Sequence, residues 1–159
     1  MINTFFKKLN EIEIHDDSCV ITLILDNELD ALVAHSHLVK LFKNQELELF
    51  FHFSKPRSKK RSKIDLGIFS IDSHEQICVK EIEIENATAL YSKLLSVKSK
   101  MNGLVQNQDP MQPSLIISSR ENGVIDTSSN GFIKIKKLTI ISTPGGSEIL
   151  KIPGGISDR

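Results

Sequence analysis

The chain has 159 residues, of which 40% are hydrophobic and 25% are charged, and its 20 lysines and arginines balance 20 aspartates and glutamates. This length fits one domain with its own core, and this composition excludes disordered and fibrous classes. No apolar run approaches the about 20 residues of a membrane-spanning helix, and no signal-peptide pattern precedes Lys7 and Lys8. We therefore expect a cytoplasmic or nuclear protein without a transmembrane segment.

The charge is unevenly distributed along the chain. Residues 55–63 read K-P-R-S-K-K-R-S-K and contain six cations, which are Lys55, Arg57, Lys59, Lys60, Arg61 and Lys63. Without them, 14 basic residues remain against 20 acidic residues. The neutral total therefore conceals one positive segment on an acidic protein, and such a segment attracts negatively charged partners.

The first elements predicted are a β-hairpin and a helix. Residues 11–14 alternate glutamate with isoleucine, an Asp-Asp-Ser turn follows, and 19–25 form an uninterrupted run of β-forming residues. Because this second run is apolar on both faces, it predicts a central strand that is covered on both sides. Asp26 or Asn27 is suited to cap a helix over 28–43.

The helix over 28–43 has apolar residues on two faces. At 100° per residue, Leu29 and Leu32 lie nearly opposite Leu38 and Phe42. Either the helix breaks near its middle or it is covered on two sides, by the sheet of its own domain and by a partner. The candidate partner interface consists of Leu38, Leu41 and Phe42. The alternative is a helix covered entirely within its own domain.

The basic segment is predicted to lie in the loop of a second hairpin. Residues 46–53 alternate as a half-buried strand does, and 64–71 form the return strand, so that 55–63 connects them. A third strand over 77–84 changes phase, which indicates a β-bulge near residues 80–81.

The remaining sequence predicts a helix and then short strands. Asn86 begins a helix over 86–101, and a polar segment follows at 106–113. Turn signals then separate four strands of a β-meander, at 115–119, 124–127, 132–141 and 148–152. The predicted class is α+β, with mostly antiparallel sheet, two principal helices and a C-terminal β-meander. We predict one domain over 1–159; the alternative subdivision is an α+β core at 1–105 and a meander at 114–159, connected by 106–113.

No combination of residues indicates catalysis or metal binding. His35 and His37 would point about 200° apart on a helix, unlike the paired histidines of zinc helices. Cys19 and Cys78 lie 59 residues apart in apolar runs, which favours buried, reduced thiols over a disulfide. We expect no catalytic residue, no cofactor and no metal, and an enzyme of unidentified class is only the third hypothesis.

The first functional hypothesis is a non-enzymatic module that binds RNA or another polyanion through 55–63. Lysine and arginine at this density neutralise phosphates, and Arg57 and Arg61 are able to hold a phosphate bidentately. Phe50 is the candidate for stacking on a base. A nuclear-import signal, an anionic membrane surface, an acidic protein partner or a solvated loop explain the same cations.

The second hypothesis is a structural or assembly subunit, such as a viral matrix-like protein or a complex scaffold. It would act through protein–protein contacts, either as a homo-oligomer or within a complex. Its interaction surfaces would be the two-faced helix and the exposed edges of the C-terminal meander.

Overall fold

One sheet and two helices make up the described part of the protein, which supports the α+β class. A computed structural model describes residues 9–42, 47–54, 61–70, 76–104, 109–121, 124–126 and 132–143. The elements in chain order are β1 (Leu9–His15), β2 (Val20–Leu25), α1 (Glu28–Leu41), β3 (Leu47–Ser54), β4 (Arg61–Ser70), β5 (Gln76–Glu85), α2 (Ala87–Met101), β6 (Ser114–Glu121), β7 (Val124–Asp126) and β8 (Ile133–Thr143). Neither described helix is long and apolar enough to cross a membrane.

The sheet is mixed, so the expectation of a mostly antiparallel sheet is confirmed only in part. Its strand order is β1-β2-β6-β8-β3-β4-β5, with β7 paired to β6. The β2–β6 and β3–β8 pairs are parallel, and the other pairs of described strands are antiparallel. The parallel pairs arise because β6 and β8 insert between two earlier hairpins, a pairing that local sequence patterns do not encode. The end strands β1 and β5 contact each other, so the sheet curls around its inner face.

The C-terminal meander is confirmed only in part. β6 pairs with β7 over three positions, but it pairs with β8 over two, Ser114 with Lys134 and Leu115 with Ile133. The main partner of β8 is β3, which it follows in parallel from Ile135 to Thr143. The predicted fourth strand, at 148–152, lies outside the described residues.

Helix α2 packs against the inner face of the sheet. Its buried residues follow the predicted spacing, and they are Ala87, Leu90, Leu94 and Val97. Tyr91 meets Phe53 of β3 edge to face, with ring centroids 5.0 Å apart. At its other end, Lys100 donates a 2.6 Å hydrogen bond from Nζ to the carbonyl of Asp16 in the β1–β2 turn. α2 thereby connects the first hairpin to the middle of the sheet.

Helix α1 is continuous, so the predicted alternative of a break near its middle does not occur. The Asn27 side chain caps it by accepting a 2.8 Å hydrogen bond from the backbone N–H of Asp30. One face buries Ala31, Ala34 and Leu38, and the helix lies against β6 and β2. Its other face is exposed to solvent.

The irregularity predicted in the third strand is displaced. The β4–β5 register runs without interruption from Arg61 opposite Glu85 to Ile68 opposite Cys78, and it shifts only at the next pair. The bulge is therefore at Ile77 and not near residues 80–81. The sequence indicates a bulge near residues 80–81 because Val79 interrupts the alternation of apolar residues. In the structure, Val79 lies opposite Gly67, on the face away from the main core.

The two cysteines are buried free thiols. Burial raises the pKa of Cys78 to about 12, and burial also raises the pKa of Cys19. Since the thiolate is the reactive form, both side chains act as small hydrophobic groups in the folded protein.

The α2 contact predicts a strong contrast between two adjacent leucines. Leu94 is fully buried, whereas Leu95 is 42% exposed. Leu94→Ala should lower the free energy of unfolding by about 2–5 kcal/mol because it leaves a cavity under the helix. Leu95→Ala should change it by less than about 0.5 kcal/mol. Urea denaturation measures both, and equal losses would contradict this placement of α2.

Candidate functional site

The basic segment connects two well-defined strands. β3 and β4 pair antiparallel, from Leu47 opposite Ser70 to Phe53 opposite Ile64. β4 begins at Arg61, three residues earlier than the predicted return strand. The connection is therefore 55–60, which lies outside the described residues. It contains four of the six predicted cations, which are Lys55, Arg57, Lys59 and Lys60.

The other two cations belong to β4. In the strand register, Arg61 lies opposite Glu85 and Lys63 lies opposite Glu83. Oppositely charged residues that face each other across adjacent strands contribute about 0.2–1 kcal/mol to a sheet. In the strand register, positions 61 and 63 thus have acidic neighbours on β5.

Phe50 offers no exposed ring for a base to stack on. It is fully buried and lies opposite Gly67 in the β3–β4 register. A Cβ atom added to Gly67 would come within 2.6 Å of Phe69 Cε2, so the Phe69 ring lies directly over this glycine. The face of β3 that carries Phe50 is thus as well covered as the face that carries Phe51.

Two polar side chains are buried beside Phe50 on the same strand, Glu48 and His52. His52 Nδ1 lies 3.3 Å from Asp65 Oδ2 on β4. Burial raises the pKa of the Asp65 carboxyl, although its hydrogen bond with His52 counteracts part of this rise. A carboxylate partner orients an imidazole ring, so this pair holds the ring in place between β3 and β4.

Glu48 connects β3 to β8 in a similar way. Its Oε2 atom accepts a 3.4 Å hydrogen bond from Thr139 and lies 3.7 Å from Lys137 Nζ. Sequence reasoning missed this polar cluster because the alternation of β3 predicts a solvated second face. Phe50, an apolar residue between Glu48 and His52, was the one sign in the sequence that this face is covered. Among the described residues, no group of three or more histidine, cysteine and acidic side chains is arranged to hold a metal ion.

The predicted partner interface on α1 is placed differently by the structure. Leu38 and Phe42 are buried in the protein's own core, and of the three predicted residues only Leu41 is exposed. The other exposed apolar side chains of this helix are Leu29, Leu32 and Val39, at 69%, 51% and 41%. We call these three residues the α1 stripe.

A charged cleft of about 820 Å³ lies between β1, β5 and the start of α2. Two polar contacts lie within the cleft: Arg120 Nη2 lies 2.6 Å from Glu11 Oε1, and His15 Nε2 lies 3.4 Å from Glu13 Oε1. The β5 carboxylates that line it are Glu83 and Glu85. Four carboxylates thus line the cleft beside two cations, Arg120 and Lys93.

No protein-family model, curated protein or solved structure matches this chain. The candidate surfaces of this chain are the 55–60 connection, the His52–Asp65 pair and the α1 stripe.

The His52–Asp65 pair predicts a pH-dependent effect of one substitution. Because the folded-state pKa of Asp65 is raised, its contribution to stability is complete below the unfolded value of about 3.8 and is lost as pH rises through the folded value. Asparagine has the same shape and does not titrate. Asp65→Asn should therefore gain stability relative to the wild type as the pH rises from about 4 toward neutral.

Urea denaturation across this pH range measures the difference. Asp17→Asn, which removes an exposed carboxylate, controls for the loss of one negative charge. A stability difference for Asp65→Asn that falls as pH rises would contradict the burial of this carboxyl.

Proposed function

We propose that this protein is a non-enzymatic binding module that contacts RNA or another polyanion through the basic segment 55–63. The observation that supports this most is the antiparallel β3–β4 pairing, which closes around a six-residue connection with four cations. The flanking strands are buried and hydrogen-bonded into the sheet. These two strands therefore fix the positions of the two ends of the connection.

The chemistry of the connection fits phosphate recognition. Arg57 is able to hold a phosphate bidentately, while the lysines act as point charges. Each phosphate contact releases condensed counterions, so the affinity falls as salt rises, by about 0.7–0.9 log units per contact for each tenfold increase in salt. Such contacts carry little sequence information, and we expect binding with low sequence specificity.

The acidic residues around the sheet favour contact at this one place. Glu83 and Glu85 on β5, with Glu11 and Glu13 on β1, line the cleft between these two end strands of the sheet. Carboxylates repel phosphates, and Glu83 and Glu85 also lie opposite Lys63 and Arg61 in the β4–β5 register, so β5 is less favourable for polyanion contact than 55–60. The basic connection and the acidic cleft together favour binding in which the β3–β4 connection contacts the polyanion.

The proposal predicts the effect of charge reversal in the connection. The double variant Lys59→Glu/Lys60→Glu should weaken binding to single-stranded RNA and to heparin at least tenfold at low salt, because two phosphate contacts become repulsive. Its melting temperature should remain close to that of the wild type. Fluorescence anisotropy titrations at two salt concentrations measure both the affinity and its salt dependence.

The matched control is Lys93→Glu/Lys134→Glu, which makes the same charge change at two exposed lysines outside the hairpin. Binding should persist in this control. Equal losses in the two variants would show that only net charge matters, and unchanged binding in Lys59→Glu/Lys60→Glu would end the proposal.

The second candidate function is a structural or assembly subunit that acts through protein–protein contacts. The α1 stripe favours it, because three large apolar side chains are exposed on one side of a single helix. Isolated exposed leucines are common on protein surfaces, but a periodic apolar row on a helix is typical of helix packing.

A further inference from the structure

We infer that the α1 stripe is the surface on which a second copy of this chain docks, with the two α1 helices antiparallel. This inference rests on the second candidate function and is independent of polyanion binding. It identifies the partner as the same chain and specifies the alignment of the two helices.

The spacing of the stripe is that of a helix–helix seam. Together with the exposed Ser36, the stripe residues Leu29, Leu32 and Val39 follow one another at intervals of three, four and three residues. This is the a/d pattern along which paired helices pack. At 100° per residue these four positions lie within about 80° of one another on the helix surface. The opposite face already packs on the protein's own core, so α1 has one side for its sheet and one for a partner.

The stripe is complementary to itself when the helices are antiparallel. When the two antiparallel helices cross at residue 34 of each copy, Leu29 of one copy lies beside Val39 of the other, and Leu32 lies beside Ser36. Ser36 is the small residue in the row, so it leaves room for the larger Leu32 side chain. Alternation of large and small side chains across facing positions is what close packing requires.

The charges at the two ends of α1 favour the same orientation. Glu28 and Asp30 lie in its first turn, and Lys40 lies in its last turn. Antiparallel pairing brings the acidic end of one helix to the basic end of the other, whereas parallel pairing would bring like charges together. The helix dipoles also oppose each other favourably in the antiparallel arrangement.

The contact is small, so the dimer should be weak. A helix of 14 residues is about 21 Å long, and one such seam buries less than the roughly 1,200 Å² typical of stable interfaces. We therefore expect a dissociation constant in the micromolar range or weaker, and a dimer population that grows with concentration.

Light scattering over a wide concentration range tests the association. The wild-type mass should rise toward twice that of one chain, and Leu32→Glu should remain monomeric with an unchanged melting temperature. Leu95→Glu is the matched control, since it places the same charge on an exposed leucine of α2. This control should dimerise as the wild type does.

Disulfide trapping tests the orientation. In the antiparallel pair, two copies of Leu29→Cys would lie about 15 Å apart along the helices, beyond the about 7 Å limit between Cα atoms. A mixture of Leu29→Cys and Val39→Cys should therefore form the mixed disulfide at least tenfold more than either self-linked product. The native Cys19 and Cys78 are buried and do not compete.

Each outcome decides one point. A wild-type protein that is monomeric at the highest concentration overturns the inference but leaves the α1 stripe as a surface for a different protein. A dimer that persists in Leu32→Glu places the contact elsewhere, and predominant self-linked products overturn the antiparallel alignment. None of these results affects the RNA and heparin measurements on the hairpin variants.

Discussion

The structure depends on the parallel pairing of β8 with β3. β8 lies between β6 and β3 in the sheet, so it joins the group β1-β2-β6 to the group β3-β4-β5. Its contact with β6 extends over two residue pairs, whereas its contact with β3 runs along the whole of β3. The buried backbone groups of β3 find their hydrogen-bonding partners in β4 and β8. The hairpin that carries the basic connection is therefore held in place by a strand from the C-terminal part of the chain.

Local sequence patterns identified the elements but not their partners. The strand character of β3, the apolar spacing of α2 and the cap at Asn27 are set by neighbours within a few residues, and these predictions agree with the structure. The position of β6 beside β2 depends on contacts between residues far apart in sequence, which periodicity does not report. The same limit applies to Glu48 and His52, since whether the second face of a strand is covered depends on the rest of the protein.

The candidate sites were predictable to different degrees. A run of cations is visible in any sequence, but it does not show where a strand begins. Positions 61 and 63 therefore read as part of a loop in the sequence, although they belong to β4. On α1, the helical wheel separated two apolar faces correctly. It did not show which face meets the sheet. The face with Ala31 and Ala34 is the buried one, because these small side chains permit a closer approach to the sheet than leucines do.

The order of strands in the sheet also has a consequence for how the chain folds. β2 pairs with a strand about 90 residues later, and β3 pairs with β8 at a similar separation. Chains dominated by such distant pairings fold slowly, commonly in milliseconds to seconds. During synthesis, β2 and β3 emerge well before β6 and β8, so they expose apolar faces and unpaired edges in the meantime. The newly made chain is therefore expected to be more prone to aggregation than the folded protein.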